Sequence, residues 1–216
     1  MLFRLDASFR TEGSHSRAIA DIVEQAWLGA NADEQVVRRH LGSDPIPATA
    51  WGDAVTAGGV AEDQRTAQQR ASVALAATLV DELIDADALL FAVPLFNFGV
   101  SQHFKTWVDL VITDPRMGPG QQPLAGKPAE LVTVRGGNYS AGTPREGWDH
   151  STPWIRRILE DVWGLQLSVV ELDFTLVGVN PALDQFKDIA ANLRAEAEAL
   201  ARQHGAELGQ PAPALT

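Results

Sequence analysis

Cysteine is absent from the 216-residue chain, which excludes disulfides, thiolate metal sites and a cysteine nucleophile together. Long apolar runs are absent too. No stretch approaches the ~18 residues of a membrane span, and the opening MLFRLDASFR has neither the basic start nor the apolar core of a secretory signal. Positive charge is scarce: 17 Lys and Arg stand against 28 Asp and Glu, a formal charge of −11. Nucleic acid and anionic lipid both need clustered cations, so neither is an expected partner. The expectation is a cytoplasmic protein with no metal ion and no membrane attachment.

What remains is ample apolar material, 45% of the residues, which suits one large domain over residues 1–208. The closing GQPAPALT, residues 209–216, reads as a flexible tail. Along the chain, short apolar segments alternate with amphipathic ones. LFRL is followed by SRAIADIVEQAWL, which sets Ile19, Ile22, Val23, Ala26 and Trp27 on one helical face. EQVVRRHL, ALLFAV, AELVTV and LSVVELDF supply four further strands. Helices are predicted over about Glu62–Asp85, over a segment presenting Phe104, Trp107, Val108, Val111 and Ile112, over Ser151–Trp163 and over Pro181–Gln203. The stretch Gly42–Asp63, rich in Pro and Gly, reads as a long loop, and loops beyond ~15 residues are usually functional or mobile. Apolar strands alternating with helices imply a parallel sheet covered on both faces, an α/β three-layer sandwich.

Ligands of such sheets bind beyond the carboxyl ends of the strands, and three of those ends are unusual. DASFRTEGSHSR offers the hydroxyls of Ser8, Ser14 and Ser16, the charges of Arg10 and Arg17 and a helix start, the components of a phosphate site. PLFNFG breaks a buried run at Pro94 and holds Leu95, Phe96, Asn97 and Phe98 where a short polar turn would do. TVRGGNYS lets the backbone approach a ligand at Gly136 and Gly137, with Arg135, Asn138 and the chain's single tyrosine, Tyr139, beside them. Each has a plainer reading: a serine helix cap, a hydrophobic plug, a Gly-Gly turn. In succession they describe an elongated ligand with a phosphate at one end and a flat ring at the other.

These segments, with KTWVD after the second and GKPAELV before the third, resemble the flavodoxin-like FMN-dependent NADH-azoreductases, which are also NAD(P)H:quinone oxidoreductases. The resemblance runs through most of the chain. It implies a doubly wound five-strand parallel sheet of order 2-1-3-4-5 and bound FMN. Ser8, Ser14, His15 and Ser16, with Arg10, would meet the phosphate; Pro94, Leu95, Phe96, Asn97 and Phe98 would follow the ring edge and ribityl chain. Val134, Arg135, Gly136 and Gly137, with Asn138 and Tyr139, would hold the pyrimidine end. It further implies NADH or NADPH as donor, quinones or azo compounds as acceptors, ping-pong hydride exchange and a homodimer with shared active sites.

The chemistry is then centred on the flavin; Tyr139 and His150 are the side-chain candidates, with His150 ahead of His15 and His103 as a proton donor. Two departures stand out: Ser101 replaces an expected proline, and the segment after Ile112 lacks an aromatic roof loop. The ring face is therefore expected to be open, with Trp51 and Trp148 read as packing residues rather than lids. Two other classes fit the same fold, a flavodoxin-type electron carrier for protein partners and a flavin-free binding module.

Overall fold

Five apolar segments, each too short to be more than a strand, form one all-parallel sheet in the computed structural model, which describes residues 1–208. The tail expectation for residues 209–216 lies outside the described residues. The strands are β1 (Leu2–Asp6), β2 (Val36–His40), β3 (Ala88–Ala92), β4 (Pro128–Val134) and β5 (Gln166–Leu172). Their order is β2-β1-β3-β4-β5, as the resemblance implies. β1 and β3 are buried at every position, which is why they read as continuous apolar runs. Edge strands β2 and β5 alternate or thin out in burial.

The helices are α1 (His15–Ala30), α2 (Ala50–Ala57), α3 (Ala67–Asp85), α4 (Gln102–Val111), α5 (Thr152–Arg156) and α6 (Lys187–Leu208). On one face α1 and α6 set Ile19, Val23, Trp27 and Ala201 on Leu2, Leu90, Val132 and Val170. On the other, Leu79, Leu83, Phe104 and Trp107 cover Phe3, Leu5, Phe91 and Leu131. Trp107 stacks on Phe104 with centroids 5.6 Å apart and meets Trp163 edge-on at 5.7 Å. One polar row interrupts the α1 face: buried Arg4 is ion-paired to Asp6, Asp21 and Glu24, and Glu24 also binds Arg38. A charge so deeply buried is tolerable only with its partners in place.

The structure corrects several boundaries. The predicted long loop contains α2, whose Ala50, Ala54 and Ala57 are buried on one side; the Pro and Gly at its flanks hid an eight-residue helical repeat. α3 starts at Ala67, not near Glu62, because Thr66 and Gln69 form a reciprocal capping box there. Residues Glu62–Gln64 form a separate 3₁₀ turn. Beyond α5 the backbone widens into a π-helical segment, Arg157–Val162. A 3₁₀ turn, Pro181–Phe186, precedes α6, which runs on to Leu208. Ile112 caps α4 at the surface instead of joining its buried face.

Candidate functional site

The first strand ends in a loop whose hydroxyls converge. Ser8, Ser14 and Ser16 are all buried. Ser8 Oγ accepts from the Arg10 amide at 3.2 Å, and Ser14 Oγ lies 3.2 Å from Ser16 Oγ. Ser14 is also the N-cap of α1, although its bond from the Arg17 amide is long, 3.4 Å. The plain and the functional readings of this serine therefore coexist. No acidic residue occupies the first turn of α1, so nothing neutralises the partial positive charge of its N-terminus. Gly42, just past β2, lies against the same loop: a Cβ there would stand 2.2 Å from Ser8 O. Ser101, the residue in the proline position, donates from Oγ to Ala7 O at 3.3 Å and ties the loop to the start of α4.

After β3 the ladder continues past Pro94, with the Leu95 amide donating to Val134 O at 3.0 Å. The chain then reverses. Phe96 and Gly99 pair antiparallel, and Asn97 and Phe98 between them have φ of 49° and 65°, the left-handed conformation at both positions that a tight hairpin turn demands. Asparagine accepts that region readily and phenylalanine does not, at a cost on the order of 1 to 3 kcal/mol. Surrounding contacts hold the strain. The Phe98 ring meets Trp148 edge-on at 5.5 Å and Tyr139 at 6.4 Å, and the His150 amide donates to Phe98 O at 3.0 Å. Phe96 is braced by Phe9 at 5.2 Å.

The third segment presents backbone donors. The carbonyls of Arg135, Gly136 and Gly137 are taken by the amides of Thr175, Leu176 and Phe174 at 3.1, 3.2 and 3.1 Å. Among the described residues the Gly136 and Gly137 amides have no acceptor, an asymmetry that leaves two adjacent donors for a ligand. A Cβ at Gly136 would lie 2.6 Å from Leu176 Cδ1, so a larger residue there would have to displace that side chain. The Arg135 side chain turns away into a cage of Asp149 at 3.2 Å, Glu171 at 2.7 Å and Asp173 at 2.5 Å. Burial works against its charge, but Asp173 and Glu171 outweigh it and raise the guanidinium pKa. The other Asp173 oxygen accepts from the Tyr139 amide at 3.1 Å, and Asp149 accepts from the Ser151 and Thr152 amides. The cage thereby sets the course of the loop that carries Tyr139.

These segments enclose one cleft of about 350 Å³. Ser8, Arg10, Ser14, His15 and Ser16 line one end, Pro94, Leu95, Phe96, Asn97 and Phe98 the floor, and Val134, Gly136 and Tyr139 the far side. Arg135 is not at the lining, for the reason just given. Gly137 sits a step back, beneath Arg145, whose Nη1 would be 2.6 Å from a Cβ at that position. His150 is exposed and acts through its backbone, and its ring is outside the cleft. The His15 imidazole lines it with its pKa lowered by burial and by the positive charges of Arg194 and Arg10.

Sequence reasoning missed Phe9, Arg145, Thr175 and Leu176, all at the lining. The signal for Thr175 and Leu176 was available: they follow the fifth strand, a strand end left uninspected. Trp51 and Trp148 lie outside the core, 51% and 50% exposed, and neither lines the cleft; Trp148 packs against Phe98 and buttresses the turn from outside.

A parallel sheet of this order, with a phosphate-type cradle, an apolar turn and spare amides at successive strand ends, defines a nucleotide-cofactor protein of the doubly wound class. The flavodoxin-like fold family matches residues 2–200, and the chain belongs to that family. A protein of Frankia casuarinae named FMN-dependent NADH:quinone oxidoreductase is 37% identical over 204 residues, covering 93% of this chain and 96% of its own. Among solved structures, an azoreductase from Bacillus anthracis is similar with TM-score 0.76 and 18% identity, covering 95% of this chain and 98% of that one. A second Bacillus anthracis structure, an FMN-dependent NADH-azoreductase in complex with FMN, gives TM-score 0.70 and 15% identity over 94% of this chain and 98% of its own. At such identities the two structures speak for the fold.

Proposed function

We propose that this protein is an FMN-dependent NADH:quinone oxidoreductase that passes hydride from NADH or NADPH to quinones or azo compounds by a ping-pong route. The observation that carries the reading is the single cleft in which buried serine hydroxyls at a helix start, the strained turn at Asn97 and Phe98, and the unpaired Gly136 amide meet, with Gly137 a step behind. The relatives' name supports it.

The residues present fit FMN. Ser8, Ser14 and Ser16, with Arg10 and the α1 amides, would hold its phosphate. Pro94 to Phe98 would carry the ring edge, and the glycine amides would meet its pyrimidine end. Bound FMN supplies the two-electron chemistry, accepting hydride and giving it up. The chain does the rest. The Gly136 amide, with Gly137 behind it, would offer a donor at a fixed position to negative charge on the bound ring, with no reorganisation needed. Leu95, Phe96 and Phe98 keep water from the ring edge. Tyr139 lines the cleft and the His150 ring does not, so of these two candidate proton donors Tyr139 is the better placed.

The same reading treats residues 1–208 as one domain and places the protein in the cytoplasm, away from membranes and nucleic acid. It also gives the cleft a partner subunit. Phe9, Phe98 and Trp148 leave large apolar surface exposed around the mouth, which a second copy of the chain would cover. Light scattering tests this point, and a fully active species of about 23.2 kDa would end it.

Anaerobic mixing of the FMN-loaded protein with NADH tests the activity. Bleaching of the flavin band by NADH alone, and its return with a quinone, is the expected result. A flavin reduced only through a second protein would mark an electron carrier instead, and failure to take up FMN would leave a bare binding module.

A further inference from the structure

In a chain this acidic, the cations that lack acidic partners are informative. Most Lys and Arg side chains of the described residues are ion-paired. Arg17, Arg65, Arg70 and Lys127 bond instead to backbone carbonyls. The remaining two, Arg10 and Arg145, stand at the carboxyl ends of the strands and line the cleft from opposite ends. Arg10 belongs with the serine cradle. Arg145 has no such employment.

Its position is nonetheless fixed. The Arg145 guanidinium lies over the Tyr139 ring, 5.6 Å from the centroid, with Nη1 3.4 Å from the Tyr139 hydroxyl. Arg135 approaches the same ring at 6.0 Å, so the tyrosine stands between one guanidinium locked in carboxylates and one that has none. The acids that could neutralise Arg145 are engaged elsewhere: Glu146 accepts from the Gly142 amide at 2.7 Å, and Asp149 and Asp173 hold Arg135. A half-buried guanidinium, held by an aromatic face and with donors to spare, is suited to an oxyanion.

We infer that Arg145 determines specificity for anionic substrates, binding an oxyanion that the net charge of −11 would otherwise repel. The inference rests on the oxidoreductase reading. The oxyanion has two sources, the pyrophosphate of the reduced dinucleotide or a carboxylate or sulfonate on the ring of the acceptor. Ping-pong kinetics separate them, because each half-reaction can be followed alone.

The test compares wild type, Arg145→Gln and Arg145→Lys in the FMN-loaded protein by stopped-flow absorbance. The reductive half uses NADH against a phosphate-free N-alkyl dihydronicotinamide. The oxidative half uses a naphthoquinone sulfonate against the neutral naphthoquinone. In Arg145→Gln the anionic-to-neutral ratio of second-order rate constants should fall tenfold or more in one of the halves. Arg145→Lys should restore part of it, and added salt should shrink the difference. The half affected names the source. Ratios unchanged in both halves overturn the inference. A wild type that takes up no FMN or is not reduced by NADH defeats the oxidoreductase reading instead. Arg145 is then judged by calorimetry with naphthalene-2-sulfonate, where equal affinity in wild type and Arg145→Gln overturns its role.

Discussion

The two ends of β4 solve the same problem in opposite ways. Near its start, Glu130 is fully buried; just past its end, Arg135 is almost as deep. Arg135 keeps its charge because three carboxylates surround it. Glu130 has no arginine. One of its oxygens shares a hydrogen bond with His204 Nδ1 at 3.0 Å, and the other has no partner. Burial, with the nearby charge of Glu207, pushes its pKa up to about 8, against one opposing backbone hydrogen bond. Where counter-charges converge the charge stays, and where they do not a proton is kept instead. The first solution lies at the cleft and shapes it; the second lies at the far end of the sheet.

The largest effect should come from breaking the cage. Arg135→Met strands Asp149, Glu171 and Asp173 together and should cost about 3 to 5 kcal/mol in urea denaturation; a loss under ~1 kcal/mol would erase the contrast drawn above. Next comes the cradle. Ser14→Ala/Ser16→Ala should weaken FMN binding by ~2 to 4 kcal/mol in a fluorescence titration, if each charge-assisted bond is worth ~1 to 2.

Glu130 follows. The folded protein holds this proton up to a pH of about 8, while the unfolded chain releases it near the ordinary value of 4.5. Between those values the folded state binds more protons, so stability should fall as pH rises. Glu130→Gln should remove that slope, and denaturation curves at several pH values check it. Asp149 works in the other direction. Hydrogen bonds from Thr152 and Ser151 and the contact with Arg135 outweigh its burial and lower its pKa, so its contribution is lost only on acidification below the usual carboxylate range. The smallest effect should be that of Arg145→Gln on stability, within about 0.5 kcal/mol, since no acid depends on it. Equal losses for the two arginine variants would show that they do one kind of work.

Much of this architecture was legible in the sequence because the strands are buried on both faces and the helices keep a regular apolar spacing. The boundaries that slipped did so for local reasons. α2 hides between Pro47 and Gly58, and the capping box at Thr66 stops a helical composition from starting sooner. At the cleft, a motif could mark Ser8 to Ser16 and Pro94 to Phe98 because each is a contiguous stretch. It could not show which way Arg135 points, since its partners Asp149, Glu171 and Asp173 lie 14 to 38 residues away. Nor could it single out Arg145, whose distinction is the lack of such partners.

The edge-on contact of Trp148 with Phe98 gives the cleft an optical consequence. An indole half open to solvent, leaning on the turn that would carry the ring edge, emits at a wavelength and yield set by that neighbour. Replacing Phe98 by leucine should change this emission even in the cofactor-free protein, while the other tryptophans, buried Trp107 and Trp163 among them, supply a constant background.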